Sequence, residues 1–162
     1  MYPNVKEITE SFAAFAAVRK YLGEKRLGDH AVRVLCVGDG NTPRTAACFA
    51  ARSAWCAFSV DPRLKDATPW SQRIRRLFVI QRKIELVDLP KLPGDTVVVV
   101  AVHSHAELGQ CAKFDPDLVV AIPCCVPQRY QGREPDHEYT DWGILSPERT
   151  MKVWKKHQEG VN

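Results

Sequence analysis

At 162 residues, with 45% hydrophobic and 26% charged residues, the chain has the size and composition of one soluble globular domain, 1–162. No apolar run approaches the ~20 residues of a membrane span, and Met1 to Glu7 lacks the apolar stretch of a secretory signal; a cytoplasmic location without a membrane partner is expected. A net charge of +4 is compatible with an RNA or DNA substrate without arguing for one, and six cysteines without repeated C-x-x-C pairs suggest buried free thiols and no metal.

Residues 4–22 have the three- and four-residue spacing of an amphipathic helix, with Val5, Ile8, Phe12, Phe15, Val18 and Leu22 on one face. Asn4 and Glu7 form a capping box, Gly23 is a stop, and no functional role is expected of this helix. It makes up the N-terminal part, 1–30. A βα core over 31–125 follows, and then a loop and C-terminal helix over 126–162.

The core opens on the most informative stretch of the chain. The apolar run 32–37 stops at Gly38-Asp39-Gly40, and Asn41-Thr42-Pro43 leads into an alanine-rich helix over 43–54. Thr42 is a suitable N-cap and Pro43 a suitable first helical residue, which leaves the N–H groups of the first turn free for a ligand. A second strand, 55–60, ends on Asp61, where an acid commonly binds ribose hydroxyls. The position of a third dinucleotide-motif glycine is taken by Pro43, and no phosphate-gripping G-x-x-x-x-G-K-[ST] occurs. Gly-x-Gly plus a ribose acid, without provision for a pyrophosphate, points to an adenosine-type cofactor other than a dinucleotide.

A basic helix near 70–76 and a third strand, 77–80, come next, with Glu85 beyond it a candidate for the adenine side. Arg63, Lys65, Arg73, Arg75, Arg76, Arg82 and Lys83 cluster here; a solvated face and a nucleic-acid surface are the two readings. The run Thr96–Val102 is β-branched throughout, as in a central parallel strand buried on both faces. A helix over 104–112, a fifth strand over 118–122, a polar loop over 126–146 and a last helix from Ser146 to about His157 complete the chain. The alternation predicts an α/β, Rossmann-like, doubly wound and mostly parallel sheet of about five to six strands with helices on both faces.

Three polar clusters then leave neighbouring strand ends: Gly38-Asp39-Gly40, His103-Ser104-His105 and Pro123-Cys124-Cys125. His103 or His105 is a candidate general base, and Cys124 a candidate nucleophile. Those two histidines with Cys124 and Cys125 also make a thinner case for zinc.

The turn at 38–40, the run Val97 to Ala106 with its His103, and Val119 to Cys125 with its Pro-Cys-Cys together resemble a group of class I methyltransferases that use S-adenosylmethionine (SAM). Several members of that group are associated with RNA, and the resemblance covers about residues 30–128. It implies SAM and its product S-adenosylhomocysteine (SAH) as ligands, held at Gly38, Asp39, Gly40, Asn41, Thr42 and Asp61, with His103 walling the site. His103, His105 and Cys124 would serve transfer to a nucleic-acid or small-molecule acceptor. The chain departs from the pattern at Cys36, where an acid is usual, and at Thr42, where a third glycine is usual. Asp39 is then the expected carboxylate for the methionine ammonium. The terminal hairpin of that fold is expected to be short or missing, so a non-catalytic SAM/SAH-binding module and a SAM-cleaving enzyme stand as alternatives.

Overall fold

The computed structural model describes residues 5–65, 68–124 and 129–156. Five strands run parallel: β1 (Val32–Val37), β2 (Cys56–Val60), β3 (Leu77–Ile80), β4 (Thr96–Val102) and β5 (Leu118–Ile122). An antiparallel hairpin, β6 (His137–Thr140) and β7 (Thr150–Lys155), extends them beyond β5. The order across the sheet is β3-β2-β1-β4-β5-β7-β6, so the winding reverses between β1 and β4.

Among the described residues three α-helices, α1 (Val5–Leu22), α2 (Arg44–Arg52) and α3 (Thr68–Arg73), accompany the sheet. Three of the four alanines of α2 (Ala46, Ala47 and Ala50) are buried and let its backbone lie close on the sheet, while Ala51 is exposed. Phe15 of α1 meets Phe49 of α2 edge to face at 5.3 Å beside the fully buried Trp55. Val98 and Val100 of β4 belong to this core, whereas Val97, Val99 and Ala101 face the opposite one with Ile84, Leu108 and Phe114. Each such valine contributes about 1.5–3 kcal/mol when fully buried, which explains why β4 must be central.

The doubly wound α/β fold class stands as expected, with four local corrections. The crossover between β4 and β5 is a 3-10 segment, Leu108–Phe114, rather than an α-helix over 104–112. The expected C-terminal helix is strand β7, and β6 forms within the expected polar loop over 126–146; together they raise the strand count among the described residues to seven and supply the terminal hairpin. Met151 and Val153 alternate with Lys152 and bury on one face, and pairing with β5 satisfies an edge that is buried on both faces. In α1 the buried stripe runs through Glu10, Ser11, Ala14, Phe15 and Val18, leaving Val5 and Phe12 exposed. Finally, α2 starts at Arg44 with Pro43 as its N-cap residue and no side-chain cap from Thr42. Asn4 of the expected capping box lies outside the described residues.

Candidate cofactor cleft

The winding reverses between β1 and β4, and the carboxyl ends of the strands beside such a reversal are the usual ligand position in these sheets. Gly38 leaves β1 with φ +72° and Gly40 follows at φ +83°. Gly38 is required by its neighbour: a Cβ there would lie 2.2 Å from Ser104 Oγ. At Gly40 only the left-handed backbone matters, because a Cβ would find its nearest atom 3.7 Å away.

Asp39, between them, is buried and acts as the cap that Thr42 does not provide. Its Oδ1 accepts the Thr45 N–H at 2.9 Å, and its Oδ2 accepts the Ala46 N–H at 3.2 Å and the Ser59 hydroxyl at 2.8 Å. Burial pushes its carboxyl above the ordinary value, against the pull of these donors. The Arg44 N–H turns to the Thr42 carbonyl. The N–H groups expected to be free at the helix start are therefore occupied, because Asp39 folds back over them. Cys36 beneath is buried, and burial with Asp39 nearby raises its thiol well above the ordinary range.

Asp61 ends β2 and is also buried. Oδ2 accepts the Gly40 N–H at 3.0 Å and Oδ1 the Arg63 N–H at 2.7 Å, tying the first two strand-end turns together. The Arg63 guanidinium lies over the same carboxylate at 3.3 Å, with two thirds of its side chain exposed.

Two open lobes flank the turn. The first, about 470 Å³, lies over the ends of β1, β2 and β3 and is lined by Gly38, Asp61, Arg63, Arg82, Lys83, Glu85 and His105 among others. The second, about 380 Å³, lies between α1 and the turn and is lined by Glu10, Gly38, Asp39, Gly40, Arg44 and His103 among others. Gly38 and Arg63 are the residues common to both. Asn41 and Thr42 border a further depression with Gly40, Arg44 and Arg63.

His103 continues from β4 in the left-handed region, at φ +48°. That turn brings its ring to α1, where Nε2 lies 3.0 Å from Oε1 of Glu10, off the line of a good hydrogen bond. Glu10 holds the imidazole above its ordinary pKa against the opposing effect of burial, with Cys124 adding to the rise. Burial raises the Glu10 carboxyl, but His103, Ser146 and Arg44 outweigh it and leave the group below its ordinary value. Glu10 is the functional candidate that sequence reasoning missed. The buried stripe that contains it is visible only in the folded helix, since the apolar spacing from Val5 to Leu22 passes it by.

His105 is exposed, and its Nε2 lies 3.8 Å from Cys124 Sγ, which also points to the His103 carbonyl at 3.9 Å. His103, His105 and Cys124 thus converge, as do Gly38, Asp39, Gly40 and Asp61. Cys125 lies outside the described residues. Among the described residues, no group of three His, Cys, Asp or Glu side chains is placed to hold a metal, and no helix is long and apolar enough to cross a membrane. The basic cluster does not stay whole: Arg76 bonds the carbonyls of Ala50 and Ser53, while Arg82 and Lys83 rim the first lobe.

Fold and cleft together define a doubly wound α/β domain with a two-lobed cleft at its topological switch point. No family model matches the sequence, and no curated protein matches it. Among solved structures, the chain is similar to a 1,6-didemethyltoxoflavin-N1-methyltransferase of Burkholderia thailandensis crystallised with 1,6-didemethyltoxoflavin and S-adenosylhomocysteine. Sequence identity is 14% and the TM-score 0.47; the match covers 93% of this chain and 62% of that one, so the chain spans less than two thirds of that protein's length.

Proposed function

We propose that the chain binds SAM across the two lobes and transfers its methyl group to an acceptor. The observation that carries this reading is the pair of lobes at the switch point that share Gly38 and Arg63 in their lining. An adenosine fits the lobe that ends on Asp61, and an amino-acid side arm fits the lobe beyond the turn. A pyrophosphate finds no partner at the helix start, where Asp39 takes the N–H groups of Thr45 and Ala46.

Gly38, Gly40 and Asp61 hold the adenosine side in this reading, with Glu85 beside the base and Asn41 and Thr42 at the border. Arg63 must swing off Asp61 for the ribose hydroxyls to reach the carboxylate, a small movement for so exposed a side chain. SAM supplies an electrophilic methyl on a sulfonium. Transfer from it needs chiefly alignment and, for a protic acceptor, a base. His103 is that base, and His105 and Cys124 line the approach. Arg82 and Lys83 at the rim, with Lys65 nearby in sequence, would meet the phosphates of an RNA or DNA acceptor.

Calorimetric titration of the full chain with SAM, SAH and NAD tests the reading. Binding of the first two but not NAD is expected; tighter binding of NAD overturns it. Asp61→Ala should weaken SAH by about 1.5–3 kcal/mol, the value of a hydrogen bond to a charged acceptor. Incubation with SAM alone separates the alternatives, since a SAM-cleaving enzyme consumes it without an acceptor.

A further inference from the structure

Building on the reading of the cleft as a SAM site, we propose that Glu10 of α1 receives the α-ammonium of the amino-acid end in the second lobe. The usual sources of a carboxylate at this place are gone. Cys36 stands where an acid is usual, and both oxygens of Asp39 are occupied by backbone N–H groups and the Ser59 hydroxyl. The second lobe still needs an anion for a ligand that carries an ammonium group, and two further carboxylates line it.

Glu7 is paired with Arg44. Glu10 sits deeper, its side chain 9% exposed, and faces Nε2 of His103 without a well-aligned hydrogen bond. A carboxylate removed from water costs free energy unless its lone pairs are fully served. An imidazole that gives up its proton is a replaceable partner, unlike the backbone donors that hold Asp39. An ammonium with three N–H donors can take the place of the imidazolium at Glu10, whose carboxyl also interacts with Ser146 and Arg44. His103 would then be left neutral beside the bound ligand, the state in which it can accept a proton.

The distinguishing probe is 5′-methylthioadenosine, which keeps the adenosine and thioether of SAH and lacks its amino-acid end. Wild-type chain and Glu10→Gln are titrated calorimetrically with both. Glu10→Gln is expected to weaken SAH by about tenfold to a hundredfold while leaving methylthioadenosine unchanged. Methylthioadenosine binding thereby also reports that the variant is folded. Equal weakening of both ligands, or no weakening of SAH, overturns the assignment. So does wild-type chain that binds SAH no more tightly than methylthioadenosine, a result that leaves the adenosine site standing. Wild-type chain that binds neither overturns the SAM reading itself, and this inference with it. His103→Asn gives an independent check, because it removes the competing cation and keeps the carboxylate. SAH affinity should hold or rise in it; a loss as large as that of Glu10→Gln means that the pair is structural, and sinks the proposal.

Discussion

Asp39 and Glu10 are both buried acids lining the second lobe, yet they are held in opposite ways. Asp39 is served by the backbone of its own turn and helix, donors that cannot move without unwinding α2. Glu10 comes from a helix elsewhere in the chain and is paired at 3.0 Å with a titratable ring, with Ser146 and Arg44 also acting on its carboxyl. Asp39, with the cap of α2 and the Ser59 hydroxyl on its two oxygens, is architecture, whatever motif it sits in. An acid satisfied by an exchangeable proton carrier can accept a ligand instead. The comparison predicts that changes around Asp39 act on stability, and changes around Glu10 act on binding and on pH dependence.

The largest effect should come from the turn itself. Gly38→Ala would place a methyl 2.2 Å from Ser104 Oγ and 2.8 Å from its Cβ, at a φ that alanine resists. Overpacking and backbone strain together should cost about 3 kcal/mol or more, read as a lowered midpoint in urea unfolding. Asp39→Ala comes next. It strips the cap from α2 and leaves two backbone N–H groups and the Ser59 hydroxyl without their acceptor, a loss of about 2–3 kcal/mol. Below its melting temperature this variant should still distinguish SAH from methylthioadenosine. Loss of that discrimination would place the ammonium at Asp39 after all, and erase the contrast.

These two sites also show how far local pattern could be read. The apolar run of β1, the glycines after it, the continuous valines of β4 and Asp61 at the end of β2 are all signalled within a few residues, and they fall where the pattern puts them. The cap was misassigned because Thr42 and Asp39 are both plausible caps by type; the left-handed glycines decide between them by turning Asp39 back over α2. β7 read as a helix because Ser146-Pro147-Glu148 is a good helix start, whereas the edge of β5, far away in sequence, makes it a strand. The Glu10–His103 pair has no local signal at all. It exists because α1 packs across β4 and β5 and because His103 takes a left-handed turn at the end of β4. Long-range pairing of this kind is what separates the legible first lobe of the cleft from the second.

The smallest effect sharpens the comparison most, since only one of the two acids should produce it. His103 is raised above 6.5 by Glu10, so its contribution to stability is fully present below that value and is lost as pH rises through its folded pKa. Glu10 is lowered from 4.5, so its contribution is present above that value and is lost as pH falls through its folded pKa. The pair therefore stabilises the fold between those limits, and Tm should decline modestly on the alkaline side. Lys6, Glu7, Arg44, Arg63 and Cys124 also surround the ring or its lobe, so the assignment requires a variant. In Glu10→Gln the alkaline decline in Tm should vanish, because the ring no longer has an anion to favour its charged form. In Asp39→Asn the decline should persist. Over the same pH range SAH should bind wild-type chain more tightly, as the imidazolium ceases to compete for Glu10. A decline in Tm that survives Glu10→Gln would assign the titration to another group of the lobe and make both acids architectural.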